Sequence, residues 1–158
     1  MGFIDFFKDA GEKVLGVFSD KEDVKKEAEE KKISVHAVEV LRHLKNIGLE
    51  TSKLTVSVTG DLVVLGGEVS SQEMAEKLVV AAGNIAGIAK VENKITVKTP
   101  APVAQYHDVV SGDTLSKIAK KFYGDPMKYP IIFEANKPML KDPNKIYPGQ
   151  KLRIPPLN

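Results

Sequence analysis

The 158 residues carry 23 basic and 21 acidic side chains with interleaved signs, a net charge of +2, and 42% hydrophobic content. That is apolar material for one average domain or two small ones, without the one-sided basic footprint of a nucleic-acid binder. Cysteine is absent, which excludes disulfides, thiolate metal sites and cysteine nucleophiles.

Phe3, Phe7, Ala10, Val14 and Val17 recur at helical spacing, which predicts a short amphipathic helix over 3–18. Such a helix either docks on the next module or lies on a membrane surface. Its polar face mixes both charges, whereas interfacial helices favour Lys and Arg. The segment has neither the basic start nor the unbroken apolar run of a secretory signal, and Phe6 stands where myristoylation needs Ser or Thr. No stretch approaches transmembrane length. A cytoplasmic location without membrane insertion is expected. Residues 20–32 are almost all charged and read as a solvated connector that closes an N-terminal segment 1–32.

A packed module is expected over 33–98. Ile33, Ala37, Val40, Leu44 and Ile47 share one helical face, and Gly48 is a plausible stop. Leu54, Val56 and Val58 alternate as a strand, Gly60-Asp61 supplies a hairpin turn, and Val63, Leu65, Gly67 and Val69 alternate again. Ser70 followed by Glu73 has capping-box spacing before a helix that carries Ala75, Leu78, Val79 and Ala82 to about Gly83. One closing strand is expected through Val91, Asn93, Ile95 and Val97. This order is α+β, with helices on one face of a small sheet.

Residues 99–105, with Pro100 and Pro102, form a linker that cannot continue a strand. It makes no obvious contribution to a core, so relative motion of the modules is expected, with an intramolecular contact between the first module and the second. A strand-helix-helix-strand module is expected over 106–158. Leu115, Ile118, Ala119 and Phe122 mark one helical face, and Asp125-Pro126 opens a second helix to about Asn136 with Pro130 awkwardly early in it. Tyr147 to Gln150 is a turn before the last strand.

The runs V-V-S-G-D-T-L-S-K-I-A at 109–119, E-A-N at 134–136 and I-Y-P-G-Q-K-L-R-I-P at 146–155 resemble a LysM domain. Leu54 to Val97, with Gly67 and Gly87-Ile88, resembles a BON domain. Together with K-D-A-G-E-K at 8–13 and V-A-A-G-N-I-A-G-I-A at 80–89, the whole resembles the family of bacterial cytoplasmic potassium-binding proteins. That resemblance implies a K⁺-selective binder, a sensor or buffer, whose modules rearrange on binding. It implies that backbone carbonyls of Phe7, Ala10, Gly83, Ile85 and Ile88 hold the ion.

The residues give this reading a chemical basis. A helix ending near Gly83 leaves carbonyls without intrahelical partners at the negative end of its dipole. Glycines let the chain curl back, and neutral carbonyl cages replace the hydration shell of K⁺. No carboxylate occurs from Val79 to Ala89, whereas Ca²⁺ or Mg²⁺ sites need them. If carbonyls do the binding, the side chain of Asn84 is not required as a ligand. A Gly-x-x-x-Gly turn after a helix also serves as a plain cap, and the alternative function is binding of peptidoglycan or N-acetylglucosamine near Gly112-Asp113-Thr114 and Asn136.

An enzyme is not expected. His36 and His43 lie two helical turns apart, about 10 Å, too far to share a metal. His107 stands alone on a strand, and Asp113 beside Ser111 and Thr114 has the pattern of a helix cap. No phosphate loop or H-E-x-x-H motif is present.

Overall fold

The alternating apolar residues of the first module pair as an antiparallel hairpin, β2 (Leu54–Thr59) with β3 (Leu62–Ser71), in register from Leu54 opposite Gly67 to Thr59 opposite Leu62. The computed structural model describes residues 3–6, 35–85 and 87–157. Helix α1 (Val35–Asn46) precedes the hairpin and buries Ala37, Val40 and Leu44 on one face. It stops where Gly48 takes a φ of 100°. After β3, helix α2 (Gln72–Gly83) leads back to β4 (Lys90–Asn93), which runs parallel to β3. The side chain that caps α2 is Ser71, whose Oγ accepts from the Met74 amide at 3.1 Å. Ser70, the residue expected there, instead donates to Glu50 from the surface.

Two expectations for this module need correction. The single closing strand is two: β4, and β5 (Thr96–Thr99), both parallel to β3 at successive stretches of its length. The break falls where Lys94 N donates to Leu65 O and the Asn93 side chain accepts from Ile95 N, a local Asx bond that competes with the ladder. The helix expected over 3–18 does not begin at Phe3. Phe3–Asp5 is strand β1, antiparallel to β4 with Ile4 opposite Val91. The open edge of β4 offers backbone partners that a helix start cannot use. The rest of that expected helix, and the charged run 20–32, lie outside the described residues. The sheet order is β1-β4-β3-β2, with β5 beside β3.

The second module is β6 (Gln105–Asp108), α3 (Leu115–Tyr123), a 3₁₀ turn (Pro126–Lys128), α4 (Tyr129–Ala135) and β7 (Lys151–Ile154), with β6 and β7 antiparallel. Asp125 caps the 3₁₀ turn through Met127 N at 2.9 Å. Because α4 proper starts only at Tyr129, Pro130 falls in its first turn, where a missing N–H has no intrahelical partner to lose. Its core joins Val109, Leu115, Ile118, Ile132, Leu140 and Leu152. Met139 packs against both this core and that of the first module.

Candidate functional site

Helix α2 is apolar around its whole circumference near its end: every residue from Leu78 to Gly83 is buried, the mark of a helix covered on both sides. One side is the sheet. Beyond Gly83 the chain folds back on itself. Asn84 N donates to Val80 O at 3.1 Å, Ile85 N to Ala82 O at 3.3 Å and Ile88 N to Ile85 O at 3.2 Å. Gly87 takes a φ of 93°, a region that side-chain-bearing residues rarely enter. Ile85 and Ile88, each 1% exposed, anchor the turn in the core. No backbone amide among the described residues closes on the Gly83 or Ile88 carbonyl outside helices and strands, while the Ile85 carbonyl accepts from Ile88.

The N-terminal strand reaches this turn through Phe6. Its amide donates to Ala89 O at 2.7 Å, and the tip of its ring fills the space that a Cβ on Gly83 would occupy. Glycine at 83 is therefore demanded by close approach and not by its own φ, which is helical. Of the five residues that the resemblance offers as carbonyl ligands, Gly83, Ile85 and Ile88 sit on one turn. Phe7 follows Phe6 directly in sequence but, like Ala10, lies outside the described residues.

The other side of α2 is covered by the second module. Glu76, Val80 and Asn84 stand at four-residue steps and form one stripe. Glu76, 1% exposed, accepts from Arg153 Nε at 2.9 Å through one carboxylate oxygen and from Ala104 N at 2.9 Å through the other. Ala104 is itself buried, so the linker is pinned at its end, where the sequence offered no obvious contribution to a core. Val80 borders a small crevice with Leu49, Ala135 and Met139. Asn84 accepts from Lys151 N at 2.9 Å and donates to Lys151 O at 2.8 Å. A buried ion pair contributes little net stability against well-packed apolar residues, but removing one partner strands a charge at a cost of about 3–5 kcal/mol. Burial, with the Glu76 charge nearby, pushes the Tyr106 hydroxyl well above its ordinary range, against the opposing pull of Arg153.

These polar ties are what sequence reasoning missed. A Glu and an Asn on a helix read as solvent-facing, and only the fully apolar L-V-V-A-A run between them signals a second covered face.

In the second module the loop before α3 is tied inward. Asp113 accepts from His107 Nε2 at 2.9 Å and from Val110 N at 3.0 Å, and the His107 ring meets Phe122 edge-on at 5.6 Å. The hydrogen bond from His107 holds the Asp113 carboxyl below the usual carboxylate range. Thr114, not Asp113, caps α3 by accepting from Lys117 N. Asn136, expected at the rim of a glycan groove, is only 2% exposed. It donates to Ile132 O and Arg153 O and accepts from Arg153 N, so its amide is engaged inside the fold. His36 is exposed beside Glu39 at 3.7 Å, on the helix rim. Among the described residues no three His, Cys, Asp or Glu side chains gather as a metal cluster, and no helix is long and apolar enough to cross a membrane.

Comparison with known proteins agrees with this two-module organisation. The BON domain model matches residues 23–99 and the LysM domain model residues 107–155. The chain is 44% identical over 156 residues to the potassium binding protein Kbp of Escherichia coli O6:H1, covering 98% of this chain and 99% of that protein. It is also 33% identical over 119 residues to an uncharacterized protein of Deinococcus radiodurans, covering 68% of this chain and 46% of that one. A third match, 38% over 76 residues, is to the uncharacterized protein YqbP of Bacillus subtilis, of which it covers 35%. With both domain models matched and a relative 44% identical nearly end to end, the chain belongs to the Kbp family, and carries a BON domain followed by a LysM domain.

Proposed function

We propose that this chain is a cytoplasmic K⁺-binding protein, a sensor or buffer and not an enzyme, which holds the ion by the backbone carbonyls of Phe7, Ala10, Gly83, Ile85 and Ile88. The observation that carries the reading is the seat of Phe6 on Gly83, with its amide bonded to Ala89 O at 2.7 Å. That seat brings Phe6, the residue before Phe7 in sequence, to a turn at the negative end of α2, in a stretch free of carboxylates. Carbonyl oxygens without side-chain charge suit a large monovalent cation whose hydration shell they replace. The relative matched along almost its whole length is named for potassium binding. Ion binding then orders the arrangement of the two modules, because α2, which ends in the ligand turn, also carries the Glu76–Val80–Asn84 stripe.

Calorimetric titration of the full chain with KCl and with NaCl, at ionic strength fixed by choline chloride, tests this. Saturable heat with KCl and none with NaCl is expected. Equal responses to the two salts reduce the effect to ionic strength and end the proposal.

A further inference from the structure

Lys151 and Asp108 face each other across the ends of β7 and β6, and the Lys151 ammonium reaches the ring that packs against Gly83. The Lys151 ammonium lies 2.8 Å from Asp108 Oδ1 and 5.6 Å from the centroid of the Phe6 ring. The Lys151 side chain is only 12% exposed, while Asp108 is 44% exposed. Asp108 Oδ1 is buried and takes no directed hydrogen bond among the described residues, so the ammonium is its compensation. Phe6 lies between this pair and Gly83, and Asn84 grips the Lys151 backbone. The ammonium is thus held within roughly a Debye length, about 10 Å, of the Gly83 turn.

We infer that the Lys151–Asp108 pair sets the affinity of the turn for a monovalent cation, Lys151 repelling the ion and Asp108 cancelling that repulsion. The inference rests on the proposed K⁺ site. Unit charges at this range, partly shielded by protein, interact strongly enough to move a binding constant several-fold. While the pair is intact the two effects oppose one another. Breaking it from either side leaves one charge uncompensated, and the two breaks have opposite signs. A purely packing role cannot produce that pattern, because damage to the interface weakens binding whichever partner is lost.

The test is a KCl titration of the full chain at fixed ionic strength, comparing wild type, Lys151→Met, Asp108→Asn and the double variant. Each variant is checked for folding by thermal melting, and Lys151→Gln stands in if Lys151→Met melts early. The expected result is K⁺ affinity raised about fivefold in Lys151→Met and lowered about fivefold in Asp108→Asn, with the double variant near wild type. These differences should shrink as choline chloride is raised. Folded single variants that both weaken binding, or that both leave it unchanged, overturn the charge-pair inference while the site itself stands. A wild-type chain without any K⁺ response overturns the site and this inference with it.

Discussion

Asn84 and Lys151 are joined as residues of neighbouring β-strands would be, the side-chain amide of one taking both backbone groups of the other at 2.9 and 2.8 Å. Asn136 does the same for Arg153, at 2.7 and 2.9 Å. Residues 151 and 153 turn their N–H and C=O to the same side of β7, away from β6. The outer edge of β7 is therefore closed by two asparagines, one from each module. An open edge is otherwise a template for pairing with other chains. Closing it with an asparagine of the first module makes the edge part of the contact between the two.

This arrangement gives Asn84 a structural task distinct from ion ligation. Asn84→Ala removes both bonds and leaves Lys151 backbone groups without these partners, a loss of about 1–3 kcal/mol. Hydrogen exchange should show faster exchange of the Lys151 amide, with protection of α3 and α4 retained. K⁺ binding should persist, weakened by no more than the roughly 5- to 150-fold to which a loss of this size corresponds. A folded Asn84→Ala variant that binds no K⁺ at all would show that the amide itself is a ligand.

Most of the architecture was legible because it rests on periodicity. The alternation through Val63, Leu65 and Val69 and the stripe of Ala37, Val40 and Leu44 each place apolar residues where the core needs them. Phe3–Asp5 was misread because Phe3, Phe7 and Ala10 satisfy a helical spacing, and three residues are too few to show a competing alternation of period two. A contact between the two modules was expected, but the residues that make it were legible only as the apolar run 78–82. Glu76 and Arg153 are separated by 77 positions, and their burial depends on a docking that no local pattern encodes. The need for glycine at Gly83 was not legible either, because it does not come from a positive φ. What requires glycine is the ring of Phe6, again a long-range contact.

The loop that precedes α3 should carry an acid-sensitive part of the second module's stability. His107 and the Val110 amide favour the ionised form of Asp113, so its carboxyl titrates lower in the folded chain than in the unfolded one. A group depressed in this way contributes stability that is fully present above the unfolded carboxylate value, about 3.9. That contribution is lost as pH falls through the lower folded value. Thermal melts between pH 7 and pH 3 should show Asp113→Asn less stable than wild type at neutral pH, with the gap narrowing below about pH 4. A gap that stays constant across that range would show that the hydrogen-bonded ionised form is not its source.

Gly83→Ala separates helix propensity from the Phe6 contact. Gly83 is the last residue of α2, and alanine in a helix is favoured over glycine by up to about 1 kcal/mol. Local propensity alone therefore predicts a variant at least as stable as wild type. The new methyl would enter the space held by the Phe6 ring, and Phe6 has little freedom to yield. Its amide is fixed to Ala89 O and the Lys151 ammonium lies 5.6 Å from its ring centroid. The strap carrying Phe6, and Phe7 after it, must lift from the turn, and K⁺ affinity should fall by at least about tenfold, the equivalent of about 1.4 kcal/mol. Adding Phe6→Ala should relieve the clash and recover melting temperature without recovering affinity, because the strap then has no anchor. That dissociation of stability from binding distinguishes a strap that completes the site from a helix cap that only supports the fold. A Gly83→Ala variant with wild-type K⁺ affinity would place the N-terminal segment outside the site.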